Sequence, residues 1–111
     1  MSSVKILLAF LLTAMAATAV VNSDNYEVKV IQINSRWNRS SSVDLTPLQR
    51  CEKQNAYLED QPFSVQRKLP NVPVILVYKG KETLAMFGGN IMLEPTVSLD
   101  SLQSIIDSAY D

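Results

Sequence analysis

Residues 69–80 read LPNVPVILVYKG. Proline has no backbone N–H to offer a sheet ladder, so within sheets it sits at an edge or at the first position of a strand. Six of the eight residues from Val72 to Lys79 are apolar, which makes this run a strand that Pro73 opens and Gly80 ends in a turn. The stretch ETLAMFGG, residues 82–89, returns across Lys79-Gly80-Lys81 as its hairpin partner.

Upstream, YEVKVIQIN (residues 26–34) is β-branched and bounded by polar residues, so it reads as a strand buried on both faces. SRWNRSSSVD interrupts it. LTPLQRCEKQN (residues 45–55) then carries a helix-start signature, with Thr46 as N-cap, Pro47 at the first helical position and Gln49 closing a capping box. AYLEDQ (residues 56–61) predicts a second strand. Pro62 opens a further short helix whose apolar residues Phe63 and Leu69 precede Pro70. After the loop NIMLEPTVS (residues 90–98), which carries some buried side chains, Ser98 caps a last helix. Its Leu99, Leu102, Ile105, Ile106 and Ala109 recur at three- and four-residue spacing, a face that must cover a sheet. The order is β-α-β-α-β-β-α over residues 26–111, a mixed four-stranded α/β sheet flanked by helices.

That order, with NVPVILVYKGKE as its third strand and hairpin, resembles the minimal thioredoxin-like fold. The resemblance implies a cis peptide bond at Val72-Pro73. It also implies that RWNRSS stands where the superfamily places a tryptophan and Cys-x-x-Cys: Trp37 matches the tryptophan, Asn38 the first cysteine and Ser41 the second. The buried acid of the superfamily's oxidoreductases falls on Gln32, which takes up no proton. Thiol-disulfide exchange needs an attacking thiolate and a second thiol to resolve the mixed disulfide, and neither sulfur is present here. More narrowly, INSRWNRSS, LTPLQRC, YLEDQP and VPVILVYKG together resemble small cysteine-poor thioredoxin-like proteins of tailed bacteriophages. That resemblance implies a structural role in the particle or a host-directed binding role.

Composition narrows the classes further. Ten basic and eleven acidic residues, net charge −1, leave no electrostatic footprint for a nucleic acid partner. With no histidine and one cysteine, neither a zinc site nor a Ser/His/Asp or Cys/His constellation can be assembled. No cofactor or metal is expected. The first 22 residues differ in kind: Lys5, an apolar stretch from Ile6 to Val21, then a polar outlet, with Ala17-Thr18-Ala19 as a small-x-small cleavage pattern. This predicts a signal peptide or a membrane or docking helix with membrane contact over residues 4–21. The apolar stretch is about four residues short of the roughly 20 that cross a bilayer as a straight helix, which favours cleavage and export.

Single residues supply the remaining expectations. Leu45, Leu48 and Cys51 share one helical stripe, so Cys51 is expected in the core, the alternative being a reactive thiol of a single-cysteine oxidoreductase. Arg36, Trp37, Asn38 and Arg39, with Val72 and Pro73 beside them in the resembled fold, make a candidate surface for a protein partner, since Trp and Arg are over-represented at binding hot spots. Asn38-Arg39-Ser40 matches the N-glycosylation pattern. Glu59 and Asp60, adjacent on a strand, would face opposite ways and so form no catalytic pair; capping the helix after Pro62 is their expected role. Gly88-Gly89-Asn90 reads as a turn of positive φ. The overall expectation is a non-catalytic thioredoxin-like binding or structural module, exported or part of a phage particle.

Overall fold

A computed structural model describes residues 26–111 of the chain. The leader expected over residues 1–22, and the membrane contact expected of it, lie outside the described residues. Four strands, β1 (Val28–Asn34), β2 (Glu52–Tyr57), β3 (Val74–Lys79) and β4 (Glu82–Phe87), form one sheet in the order β2-β1-β3-β4. β2 lies parallel to β1, while β3 is antiparallel to both β1 and β4, so the sheet is mixed. Two α-helices, α1 (Phe63–Gln66) and α2 (Leu99–Ala109), and two 3₁₀ turns, Arg36–Ser41 and Leu58–Asp60, complete the elements among the described residues. Among the described residues no helix is long and apolar enough to cross a membrane.

The period-two alternation of strands splits the apolar side chains between two faces. Ile31 and Ile33 of β1 join Val74, Leu76 and Tyr78 of β3 on one face, where Val65 of α1 packs with Leu58 and Leu69. Val28 and Val30 join Ile75 and Val77 on the other, beneath Leu102 and Ile106 of α2 and beside Leu45, Leu48 and Cys51. The central strands are thus buried on both sides, and their sequences carry almost no charge. The β2 edge, by contrast, reads EKQNAY, and a polar edge of this kind discourages pairing with another chain. In the β3–β4 ladder the register shifts between Val77 and Tyr78, which lets the consecutive Leu84 and Ala85 both pack on the α2 side.

Several expectations need correction. No helix spans residues 45–55: a turn occupies Thr46-Pro47, Arg50 has a φ of 65°, and β2 starts at Glu52. Asp44 accepts from both the backbone N–H (3.0 Å) and the hydroxyl (2.7 Å) of Thr46, which replaces the expected Thr46 cap with a turn. Those two bonds also hold the Asp44 carboxyl below its ordinary range. The second strand is displaced toward the N-terminus, because Leu58–Asp60 turn out of the sheet as 3₁₀ backbone. Phe63 is exposed, and Val65 is the residue of α1 that enters the core. Ser98 does cap α2, its hydroxyl accepting from the Ser101 N–H at 3.1 Å.

The glycine pair also serves a different purpose from the one expected. Positive φ among the glycines belongs to Gly80, at the β3–β4 turn; Gly88 and Gly89 are required by close approach. The Gly89 N–H donates to the Asn71 carbonyl at 2.6 Å, and a Cβ at Gly89 would sit 2.1 Å from the Val72 carbonyl oxygen. The Val72–Pro73 bond beside it is cis. Gly89→Ala should therefore cost about 3 kcal/mol, since backbone gives way less than a side chain does. Gly80→Ala, with open space around it, should cost only about 1 kcal/mol through its left-handed φ. Urea unfolding midpoints of the two variants check the contrast.

Candidate functional site

Where β1 ends, its polar residues build a hydrogen-bonded base. Gln32, buried in the sheet, donates from Nε2 to the Val43 carbonyl (2.8 Å) and to Asn55 Oδ1 (2.9 Å), and its Oε1 accepts from the Val43 N–H (2.8 Å). Asn34, also buried, donates to the Asn38 carbonyl (2.9 Å) and to Ser42 Oγ (2.7 Å), and accepts from the Ser35 N–H and from Asn38 Nδ2. Amide side chains suit this position because each supplies donors and an acceptor, so one residue can satisfy both the N–H and the C=O of a neighbouring backbone unit. The 3₁₀ turn Arg36–Ser41 stands on this base.

The six residues expected to form one surface divide into three kinds. Arg36 is committed within the chain: its guanidinium bonds both oxygens of Asp60 (2.9 and 2.8 Å) and lies 4.5 Å from the centre of the Tyr57 ring, while its N–H donates to Glu59. Glu59 and Asp60 therefore act together on Arg36 rather than as caps for α1. Asn38, Val72 and Pro73 are buried. Asn38 Nδ2 is spent on Asn34 Oδ1 (3.0 Å) and the Leu93 carbonyl (2.9 Å), so the nitrogen a glycan would need is closed in the folded chain. Trp37 and Arg39 are exposed, Trp37 at 68%.

The Asn38–Leu93 bond joins this turn to a loop whose side chains were expected to be partly buried. That loop is organised by one residue. Asn90 Oδ1 accepts from the N–H groups of Met92 (2.8 Å) and Glu94 (3.0 Å), the Asn90 carbonyl accepts from the Leu93 N–H (2.9 Å), and Leu93 takes a φ of 60°. The effect is to hold Ile91 (91% exposed) and Met92 (72% exposed) outward. Trp37 and Met92 each lie one residue before a partner of the same hydrogen bond. Sequence reasoning missed Ile91 and Met92; the signal lay in Asn90, an Asx-turn residue standing just before an apolar pair.

Cys51 is buried, 4% exposed, among Val28, Leu45, Leu48 and α2. It lies immediately before β2 in a loop, so its burial comes from tertiary packing and not from a helical stripe. Burial pushes its thiol up, against a weaker opposite pull from Lys53. Among the described residues no group of histidine, cysteine, aspartate or glutamate side chains is placed to hold a metal ion.

No protein-family model and no curated protein matches this chain. A solved structure described as "Crystal structure of a designed protein" is similar over 77% of this chain and 82% of its own, with a TM-score of 0.53 and 17% identity. At that identity the likeness extends to the fold alone, a four-stranded mixed sheet with helices.

Two outcomes follow from the base and the thiol. Gln32→Leu should cost about 2 kcal/mol in urea unfolding, because it leaves the N–H and C=O of Val43 without their partner. The folded chain keeps the Cys51 proton over a range where the unfolded chain loses it. The Cys51 contribution is thus full below about pH 8.5 and declines as pH rises beyond it. Cys51→Ala should remove the fall in stability that Cys51 contributes between about pH 8.5 and about pH 9.5, since the Tyr78 phenol, also pushed up by burial, adds its slope only above about pH 10.

Proposed function

We propose that this chain is a non-catalytic thioredoxin-like module that binds a protein partner through Trp37 and the loop tip Ile91-Met92. The sheet order β2-β1-β3-β4, with β3 alone running against the other three strands, supports the fold reading. The observation that carries the functional reading is the use made of Asn38. At the position of the resembled motif's first cysteine stands a buried amide whose Nδ2 donates to Asn34 Oδ1 and, across to the Asn90 loop, to the Leu93 carbonyl. A redox motif needs an accessible sulfur there; a binding surface needs two segments held in register. Large apolar side chains on a hydrogen-bonded loop contribute contact area at a low cost in conformational entropy on binding. A component of a bacteriophage particle is the most specific form of this reading, and an exported or membrane-associated module is its alternative.

The competing class is a single-cysteine oxidoreductase using Cys51. The burial and raised pKa of that thiol weigh against it, because the thiolate is the nucleophile. Reduction of insulin by dithiothreitol should run no faster with the chain than without it; an acceleration that Cys51→Ser removes would instead establish the enzyme. For the surface, in-cell crosslinking followed by mass spectrometry should recover one dominant protein with the wild-type chain and lose it with Trp37→Ala and with Met92→Asp. Equal recovery by both variants refutes the assigned surface.

A further inference from the structure

The missing crossover helix leaves part of the sheet open. Between β1 and β2, on the side of Gln32 and Asn34, lies a cleft of about 450 Å³ lined by Gln32, Asn34, Arg39, Ser42, Asn55 and Tyr57, with Val43 and Ala56. It sits toward the C-terminal ends of the two parallel strands, the end of an α/β sheet at which ligands are ordinarily received. Its size falls within the range of small-molecule sites, roughly 300–1,000 Å³.

The lining is asymmetric in charge and in hydrogen-bonding capacity. Arg39 is its one charged residue, and among the described residues its guanidinium has neither an ion pair nor a hydrogen bond, the Arg39 carbonyl alone accepting from the Ser42 N–H. Arg36, only three residues earlier, is fully paired with Asp60. The floor residues Gln32 and Asn34 are saturated by the bonds described above and so form a fixed base. Unused donors belong to the rim. Asn55 gives its Oδ1 to Gln32, which leaves its Nδ2 available. Ser42 Oγ accepts from Asn34, which leaves its hydroxyl proton available.

We infer that this cleft binds a small monocarboxylate, with the Arg39 guanidinium pairing the carboxylate and Asn55 and Ser42 donating to groups beside it. A guanidinium presents two parallel N–H groups to a planar carboxylate, and a single cation balances a single negative charge. A phosphate dianion would leave one charge uncompensated in a site with no second cation. A free carboxylic acid and the C-terminus of a peptide offer the same chemistry. The inference goes beyond the partner-binding reading, since neither Trp37 nor the Asn90 loop lines the cleft.

The test is titration of the full 111-residue chain, followed by amide NMR, with N-acetylglycine, with the peptide acetyl-Ala-Ala-Gly bearing a free C-terminus, with its C-terminal amide, and with inorganic phosphate. Saturable shifts at Ser42, Val43 and Asn55 with either free carboxylate, absent with the amide, are expected, and the tighter of the two identifies the source. Arg39→Gln should weaken binding about tenfold or more, the loss of one charge-assisted pair. Asn55→Asp, which keeps an acceptor for Gln32 but adds a negative charge, should weaken it at least as much. Binding that both variants leave unchanged, phosphate binding tighter than either carboxylate, or no saturable shift with any probe would overturn the inference.

Discussion

The crossover from β1 to β2 has to satisfy its backbone without a helix, and the rest of the molecule is arranged around that requirement. Buried N–H and C=O groups must find partners, and a parallel connection ordinarily supplies them through helical bonds. Here side chains from other elements bond the backbone instead, at part-buried Val43 and at the exposed residues 46, 49 and 50. Gln32 takes both polar groups of Val43. Gln103 of α2 accepts from the Gln49 N–H at 2.9 Å and donates to its carbonyl at 3.1 Å. The Tyr110 hydroxyl donates to the Arg50 carbonyl, and Lys53 Nζ reaches the Thr46 carbonyl. The crossover is therefore stapled to the sheet at one end and to α2 at the other.

This explains why α2 carries polar groups at particular positions as well as an apolar face. Leu102 and Ile106 bury against the sheet, while Gln103, Asp107 and Tyr110 turn toward residues 49 and 50. Arg50 pairs with Asp107 at 3.2 Å and lies 4.6 Å from the Tyr110 ring centre. Both partners of that ion pair are about half exposed, so it contributes little by itself. The hydrogen bonds to backbone from Gln103 and Tyr110 fix the crossover's position, because each joins it to a side chain more than fifty residues away. A non-helical crossover held in this way lets the 3₁₀ turn of Arg36–Ser41 present Trp37 and leaves a cleft beside Asn55 and Tyr57.

The two central strands were legible in the sequence for a simple reason. Val28–Asn34 and Val74–Lys79 are apolar on both faces, and burial on both sides is the only arrangement that accommodates them. The hairpin at Gly80 and the helix after Ser98 were equally readable, since a turn residue and a capped 3.6-residue period are local properties. The stretch from Leu45 to Asn55 misled because its apolar spacing was real: Leu45, Leu48 and Cys51 do share one buried cluster. Spacing of three, however, is met by a turn as well as by a helix. The capping residues Thr46 and Gln49 found better partners in Asp44 and Gln103.

Nothing local announced that Asn38 would be buried and bonded to Leu93, because that outcome depends on a contact between residues more than fifty positions apart. Alone, the sequence determined which segments must be buried, where the sheet's central strands run, and that one chain forms no internal disulfide, because these follow from residue type and short-range period. Only the tertiary structure decided which arginine is paired and which is free, and whether the crossover becomes a helix. Each of those turns on competition among distant hydrogen-bonding partners that the chain meets only once it has folded.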